Sequence, residues 1–159
     1  MPTLSSYGQA IASTTLALQQ LLSAAPAKLQ VTARTLDAAR DGISGASVNL
    51  FLYRDDLTGY RDGHEQPGTT HNIAELFYLL SAYPGDTSDA DAVSHRAYGT
   101  ARAVVQQNPV LAVPLGDRST NVQLRSHALS TENLANLWLA SSAPLRLTFG
   151  IGATFTVSG

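Results

Sequence analysis

Residues Leu129–Phe155 read LSTENLANLWLASSAPLRLTFGIGATF and hold the chain's only tryptophan and its clearest alternating run. Ser130 is a natural helix N-cap, and Leu129 and Leu134 have the spacing of a hydrophobic staple across it. Glu132 falls in the first turn, where a carboxylate suits the helix dipole. Leu134, Leu137 and Trp138 share one face of the predicted helix and form its expected structural anchor on the rest of the fold. Pro144 then opens a predicted strand. Leu145, Leu147, Phe149, Ile151, Ala153, Phe155 and Val157 point one way; Arg146, Thr148, Gly150, Gly152, Thr154 and Thr156 point the other. Glycine weakens a strand unless a bulge, a twist or a close neighbour needs the room. The face carrying Arg146, Thr148, Gly150, Gly152 and Thr154 is therefore the candidate assembly interface. No charge after Arg146 and no proline after Pro144 blunt the strand against pairing.

Working back from this segment, SVNLFLYR (47–54) sets Val48, Leu50 and Leu52 on one face and Asn49, Phe51 and Tyr53 on the other. HNIAELFYLLSAYP (71–84) is apolar on both faces around Leu76 to Leu80, which places it centrally in a sheet. Leu29, Val31 and Ala33 alternate with polar residues as a further half-buried strand, and DAARDGISG turns the chain. DDLTGYRDGHEQPGTT (55–70) reads as a long polar loop. Two helices complete the pattern. Tyr7, Ile11, Thr14, Leu18, Leu21 and Leu22 recur at helical spacing, with Ser5 or Ser6 as cap and Pro26 as stop. Val93, Ala97, Ala101, Val104 and Val105 form a narrow face after GDTSD, with Ser88 or Asp89 as cap and Asn108-Pro109 as stop. A less regular stretch precedes a short strand at VQLRS. The expected fold is α+β: a single domain over 1–159 with a mostly antiparallel sheet and helices packed on one face.

The chain is long enough to bury its own core. Its 14% of charged residues is low against the usual ~25%, which favours burial of surface in an assembly. Ten basic and twelve acidic residues leave a net charge of −2. Lys28, Arg34, Arg40, Arg54, Arg61 and Arg96 are dispersed, so no nucleic-acid footprint forms. Without cysteine there are no disulfides, thiol nucleophiles or Cys-zinc sites, as suits a bacterial intracellular protein. Polar residues interrupt every apolar run of the N-terminus, which reads as neither signal peptide nor membrane span.

Chemistry is sparse. His64, His71, His95 and His127 include no i, i+4 pair and no H-E-x-x-H. GDTSDADAVS fails the calcium-loop register, because Ala90 and Asp91 stand where a ligand and a glycine are required. GISG lacks the lysine and helix of a phosphate loop, and GIGATF lies within a strand. No G-x-S-x-G occurs, and Asp55 and Asp56 point apart if extended. The reading is of a non-enzyme without cofactor or metal.

Four segments in order, SVNLFLYR, AELFYLLSAYPGD, HRAYGTARAVVQQNPVL and LSTENLANLWLASSAPLRLTFGIGATFTV, resemble the cap, or tail-terminator, proteins of contractile injection systems. These are phage-tail-like particles of the antifeeding-prophage and virulence-cassette type. The resemblance runs from the first helix to the last strand and is most specific in LSTE-x-L-x-x-LW followed by PLRLT. It implies a tail-terminator-like fold and a subunit that pairs with itself in a hexameric ring. That ring would terminate the inner tube and anchor the last sheath layer, assembled in the bacterial cytoplasm as part of a contractile particle. A connector protein of a contractile-tailed phage and a small-ligand-binding α+β domain are the alternatives.

Overall fold

The computed structural model describes residues 1–25, 29–60, 71–86 and 90–158. The proposed stop at Pro26, the caps Ser88 and Asp89, and His64 in the polar loop lie outside the described residues.

A 3-10 turn (Leu4–Ser6) leads into α1 (Tyr7–Ser23), followed by β1 (Gln30–Ala33), β2 (Ser47–Tyr60), β3 (His71–Tyr83) and α2 (Ala90–Gln107). The chain continues through β4 (Val110–Leu115), β5 (Arg118–His127), α3 (Thr131–Ala140) and β6 (Thr148–Ser158). One six-stranded sheet has the order β1-β2-β3-β6-β5-β4, antiparallel except for the parallel pair β1–β2. The α+β class with a mostly antiparallel sheet thus holds. β3 lies centrally between β2 and β6, as its two apolar faces require.

Alternation along the strands separates two cores. Val48, Leu50, Leu76, Tyr78, Leu80, Ile151, Ala153 and Phe155 share the larger one with Leu18 and Leu22 of α1 and Ala97, Ala101 and Val105 of α2. The small residues of α2 let it lie close on the sheet. α1 packs against both edge strands, β1 and β4, so the sheet curls around it. Gln19 Nε2 of α1 donates to the carbonyl of Val31 at 3.1 Å, and Thr15 shares a hydrogen bond with the Tyr78 hydroxyl at 2.8 Å. The smaller core, on the opposite face, gathers Leu36, Ala39, Leu79, Tyr83 and Trp138. α3 therefore lies across the other side of the sheet from α1 and α2, where helices on a single face were expected. The odd-numbered residues of β3, Leu79 and Tyr83, are apolar enough to need a cover of their own.

Other differences have local causes. β2 continues through Asp55–Tyr60, read above as loop. A register shift between Leu52 and Arg54 lets Asp56, Leu57 and Thr58 pair with Glu75, Ala74 and Ile73, and a ladder with one solvated face does not need apolar side chains on it. Along β1 the buried residue is Thr32, with Val31 half-buried and Ala33 exposed. The Thr32 hydroxyl meets Asn49 Oδ1 at 2.7 Å, so a satisfied polar pair occupies an inward position. β4 and the first half of β5 form a hairpin in the stretch read as irregular. Its two-residue turn, Gly116-Asp117, has φ +60° at Gly116, the conformation a glycine-first hairpin turn demands. Pro114 lies within β4, which is an edge strand, where proline is tolerated.

Candidate functional site

The segment from Ser130 to Thr154 builds the surface of interest. The Ser130 hydroxyl accepts the Asn133 N–H at 3.1 Å and starts α3. At the other end Ala143 N–H donates to the Trp138 carbonyl at 3.3 Å and Ser142 N–H to Leu139 at 3.1 Å. This is a Schellman closure, with Ser142 in the left-handed position (φ 52°) that glycine usually fills. Pro144 follows and prevents the helix from continuing. Trp138 is buried at 2% exposure, Leu134 is half-buried beside it in the smaller core, and half-buried Leu137 lines a neighbouring groove.

The strand after Pro144 begins later than its pattern suggested. Leu145 and Leu147 are 60% and 41% exposed, and the inward run starts at Phe149. After the Schellman exit the chain rejoins the sheet only at Leu147, whose carbonyl accepts the Ala82 N–H at 3.2 Å, and β6 is in register with β3 from Thr148. β6 is also no free edge. β3 pairs along one side and β5 along the other from Gly150 to Thr154, so strand addition there is blocked over that span.

The five candidate interface residues separate into three settings. Arg146 is exposed beside the smaller core, with its guanidinium 5.9 Å from the Tyr83 ring centre. Thr148 and Gly150 line a cleft of about 260 Å³ with Arg102, His127 and Leu134. A Cβ on Gly150 would fall inside van der Waals contact of the His127 carbonyl oxygen. At Gly152 a Cβ would lie 3.1 Å from Arg125 Nε and 3.2 Å from Glu75 Oε1. The room beside both glycines is taken by atoms of the chain itself. Thr154, half-buried, belongs to an open and polar half of the sheet face. There Arg125 pairs with Glu75, Arg54 pairs with Asp56, and Asn121, Gln123 and Thr58 are exposed around Ile73, itself 44% exposed.

Between this half and α3 runs a groove of about 590 Å³ lined by Tyr53, Arg54, His127, Asn133, Asn136 and Leu137, with others. Arg54 lies 4.9 Å over the Phe77 ring, and His127 meets that ring edge-on at 4.8 Å. Burial first, then the Arg125 and Arg54 cations, hold the His127 imidazole below its ordinary value. Asp55 accepts from the Tyr7 hydroxyl at 3.1 Å while Asp56 pairs with Arg54, so the adjacent carboxylates serve opposite faces. Among the described residues no three His, Asp or Glu side chains converge as a metal site, and no helix is long and apolar enough to cross a membrane. The groove and the polar half-sheet were missed because they draw on β2, β5 and α3 together. The charged run Arg54-Asp55-Asp56 was the one local signal.

The fold and this surface define a class: a small α+β scaffold with an apolar core under two helices and a polar half-sheet on the other face. Residues 13–157 match the family described as the Pvc16 N-terminal domain, and the chain belongs to that family. Solved structures share the fold, two of which illustrate it. One is the sheath/tube terminator of an extracellular contractile injection system, PVC, in its extended state. It is 19% identical with a TM-score of 0.65, over 94% of this chain and 56% of that one. The other is the tube-terminating cap of the anti-feeding prophage, 18% identical with a TM-score of 0.61, over 92% and 54%. The chain thus spans just over half the length of these structures. A comparison with curated proteins gives no significant match.

Proposed function

We propose that the protein is a structural cap subunit of a contractile injection system. In this reading it joins copies of itself in a hexameric ring at the end of the inner tube and holds the last layer of sheath. Family membership over residues 13–157 is the observation that carries the reading. The division of the molecule fits it: a continuous core under α1 and α2 supplies rigidity, and the open half-sheet with Thr154, together with exposed Arg146, supplies contact surface. Binding energy in such contacts comes from the buried centre of the patch, and ring closure multiplies weak pairwise contacts. No catalytic step is part of the role, and no cofactor is needed for it. Assembly would take place in the bacterial cytoplasm.

An affinity tag on the chain, visualised on intact particles by electron microscopy, tests the proposal. Label confined to one end of the particle is the expected result. A subunit that assembles nowhere, or decorates the whole length, overturns it. Thr154→Arg places a bulky cation on the open half-sheet, and it should leave the circular dichroism unchanged while abolishing incorporation. Wild-type occupancy of that variant would remove Thr154 from the contact surface.

A further inference from the structure

Where the chain leaves α3 and approaches β6, it closes a cavity of about 240 Å³ whose lining includes Leu36, Tyr83, Trp138, Ser142 and Arg146. The indole N–H of Trp138 is a buried donor with no partner among the described residues. Indole nitrogen can only donate, and leaving such a group unpaired costs about 1–3 kcal/mol, so the site calls for an acceptor. Arg146 stands at the mouth. Its guanidinium rests near the Tyr83 ring and has no carboxylate partner among the described residues. Arg40, 5.8 Å from the same ring, differs: it donates to Gly45 and Ser47 and is paired with Asp86 at 2.9 Å. The one acidic residue in the lining, exposed Asp37, has its carboxyl held below its ordinary range, chiefly by the Thr35 side chain.

We propose that this cavity receives one acidic side chain, an aspartate or glutamate, from a neighbouring polypeptide. Its carboxylate would accept the Trp138 N–H and pair with Arg146, satisfying the buried donor and the uncommitted cation at once. Charge-assisted hydrogen bonds of this kind are about twice as strong as neutral ones, and the volume admits one side chain rather than an element of secondary structure. The source of the carboxylate rests on the assembly reading; the site itself does not.

Because Trp138 is the only tryptophan of the 159 residues, this chain has one indole resonance in a nitrogen–proton correlation spectrum. Titration with the blocked glutamate N-acetyl-glutamic acid α-amide should move that proton downfield and saturate in the millimolar range. The blocked glutamine should leave it in place, and Arg146→Gln, at an exposed position, should weaken the response about tenfold or more. An indole signal indifferent to the glutamate, or equally responsive to the glutamine, overturns the proposal. So does a free-state upfield shift on Asp37→Asn, which would mean that Asp37 already fills the cavity. N-acetyl-alanine binding more tightly than the blocked glutamate would replace the side chain with a chain terminus and overturn the assignment. The titration is read on the isolated subunit and so succeeds or fails independently of where the protein sits in a particle.

Discussion

The two faces of the sheet are held by different physics. Under α1 and α2 the face is continuous and apolar, from Val48 through Leu76 and Tyr78 to Ile151 and Phe155. The opposite face is divided. α3 and the turns around Leu36 cover one half, while the other carries Arg54, Asp56, Glu75, Gln123, Arg125 and Thr154 with no element above them among the described residues. Apolar burial stabilises by about 25 cal/mol per Å², whereas exposed ion pairs contribute about 0–1 kcal/mol. Stability therefore resides under the helices, and the open half can be shaped for contact at little cost to folding.

Trp138 and Leu139 are adjacent on α3, yet one is 2% and the other 79% exposed, so they test that division at a single helical step. Trp138→Ala should lose about 3–5 kcal/mol, read from denaturant midpoints, and Leu139→Ala should change stability by less than about 0.5 kcal/mol. Equal effects would mean that α3 is only loosely docked and that the covered half is not a core.

The glycines of β6 sharpen the comparison at the border between the halves. Gly150 faces a backbone carbonyl that cannot yield without disturbing the end of β5, and Gly152 faces the flexible ends of Arg125 and Glu75. Gly150→Ala should destabilise by about 1–3 kcal/mol, the range for overpacking. Gly152→Ala should cost less, because the ion pair can swing aside. A thermal melt in which the order is reversed would show that the Arg125–Glu75 pair, and not the strand, holds this border.

How much of this could be read from the residues depended on whether one element or several had to agree. The central position of β3 followed from its own apolar faces, and the Ser130 cap of α3 from Leu129, Ser130, Glu132 and Leu134 within one short stretch. The side of the sheet that α3 takes did not follow, since it depends on Leu36, Leu79 and Tyr83 presenting an uncovered patch. Leu145 and Leu147 continued a perfect alternation but are exposed, because a helix closure upstream overrides strand patterning. The Asp55–Tyr60 extension has only Leu57 and Tyr60 among polar residues and glycine, and was visible only through its pairing with β3. For the site, Trp138 and Arg146 were legible as residues of note. Their shared cavity was not, because Tyr83 and Leu36 complete it from distant parts of the chain.

Ser142 offers the finest test, since it sets where the cover of α3 stops. Its φ of 52° lies in the left-handed region, where a side chain is strained and glycine is not. Relief of that strain, on the order of 1 kcal/mol, is offset in part by the greater freedom glycine gives the unfolded chain. Ser142→Gly should therefore gain about 0.5 kcal/mol and raise the melting temperature by roughly 1–2 °C. The Schellman bonds from Ser142 and Ala143 use main-chain atoms and survive the change. Trp138 should accordingly keep its burial, read as an unaltered fluorescence maximum. A loss of stability instead would mean that the serine side chain holds the helix end against the cavity, and that the boundary of the covered half depends on it.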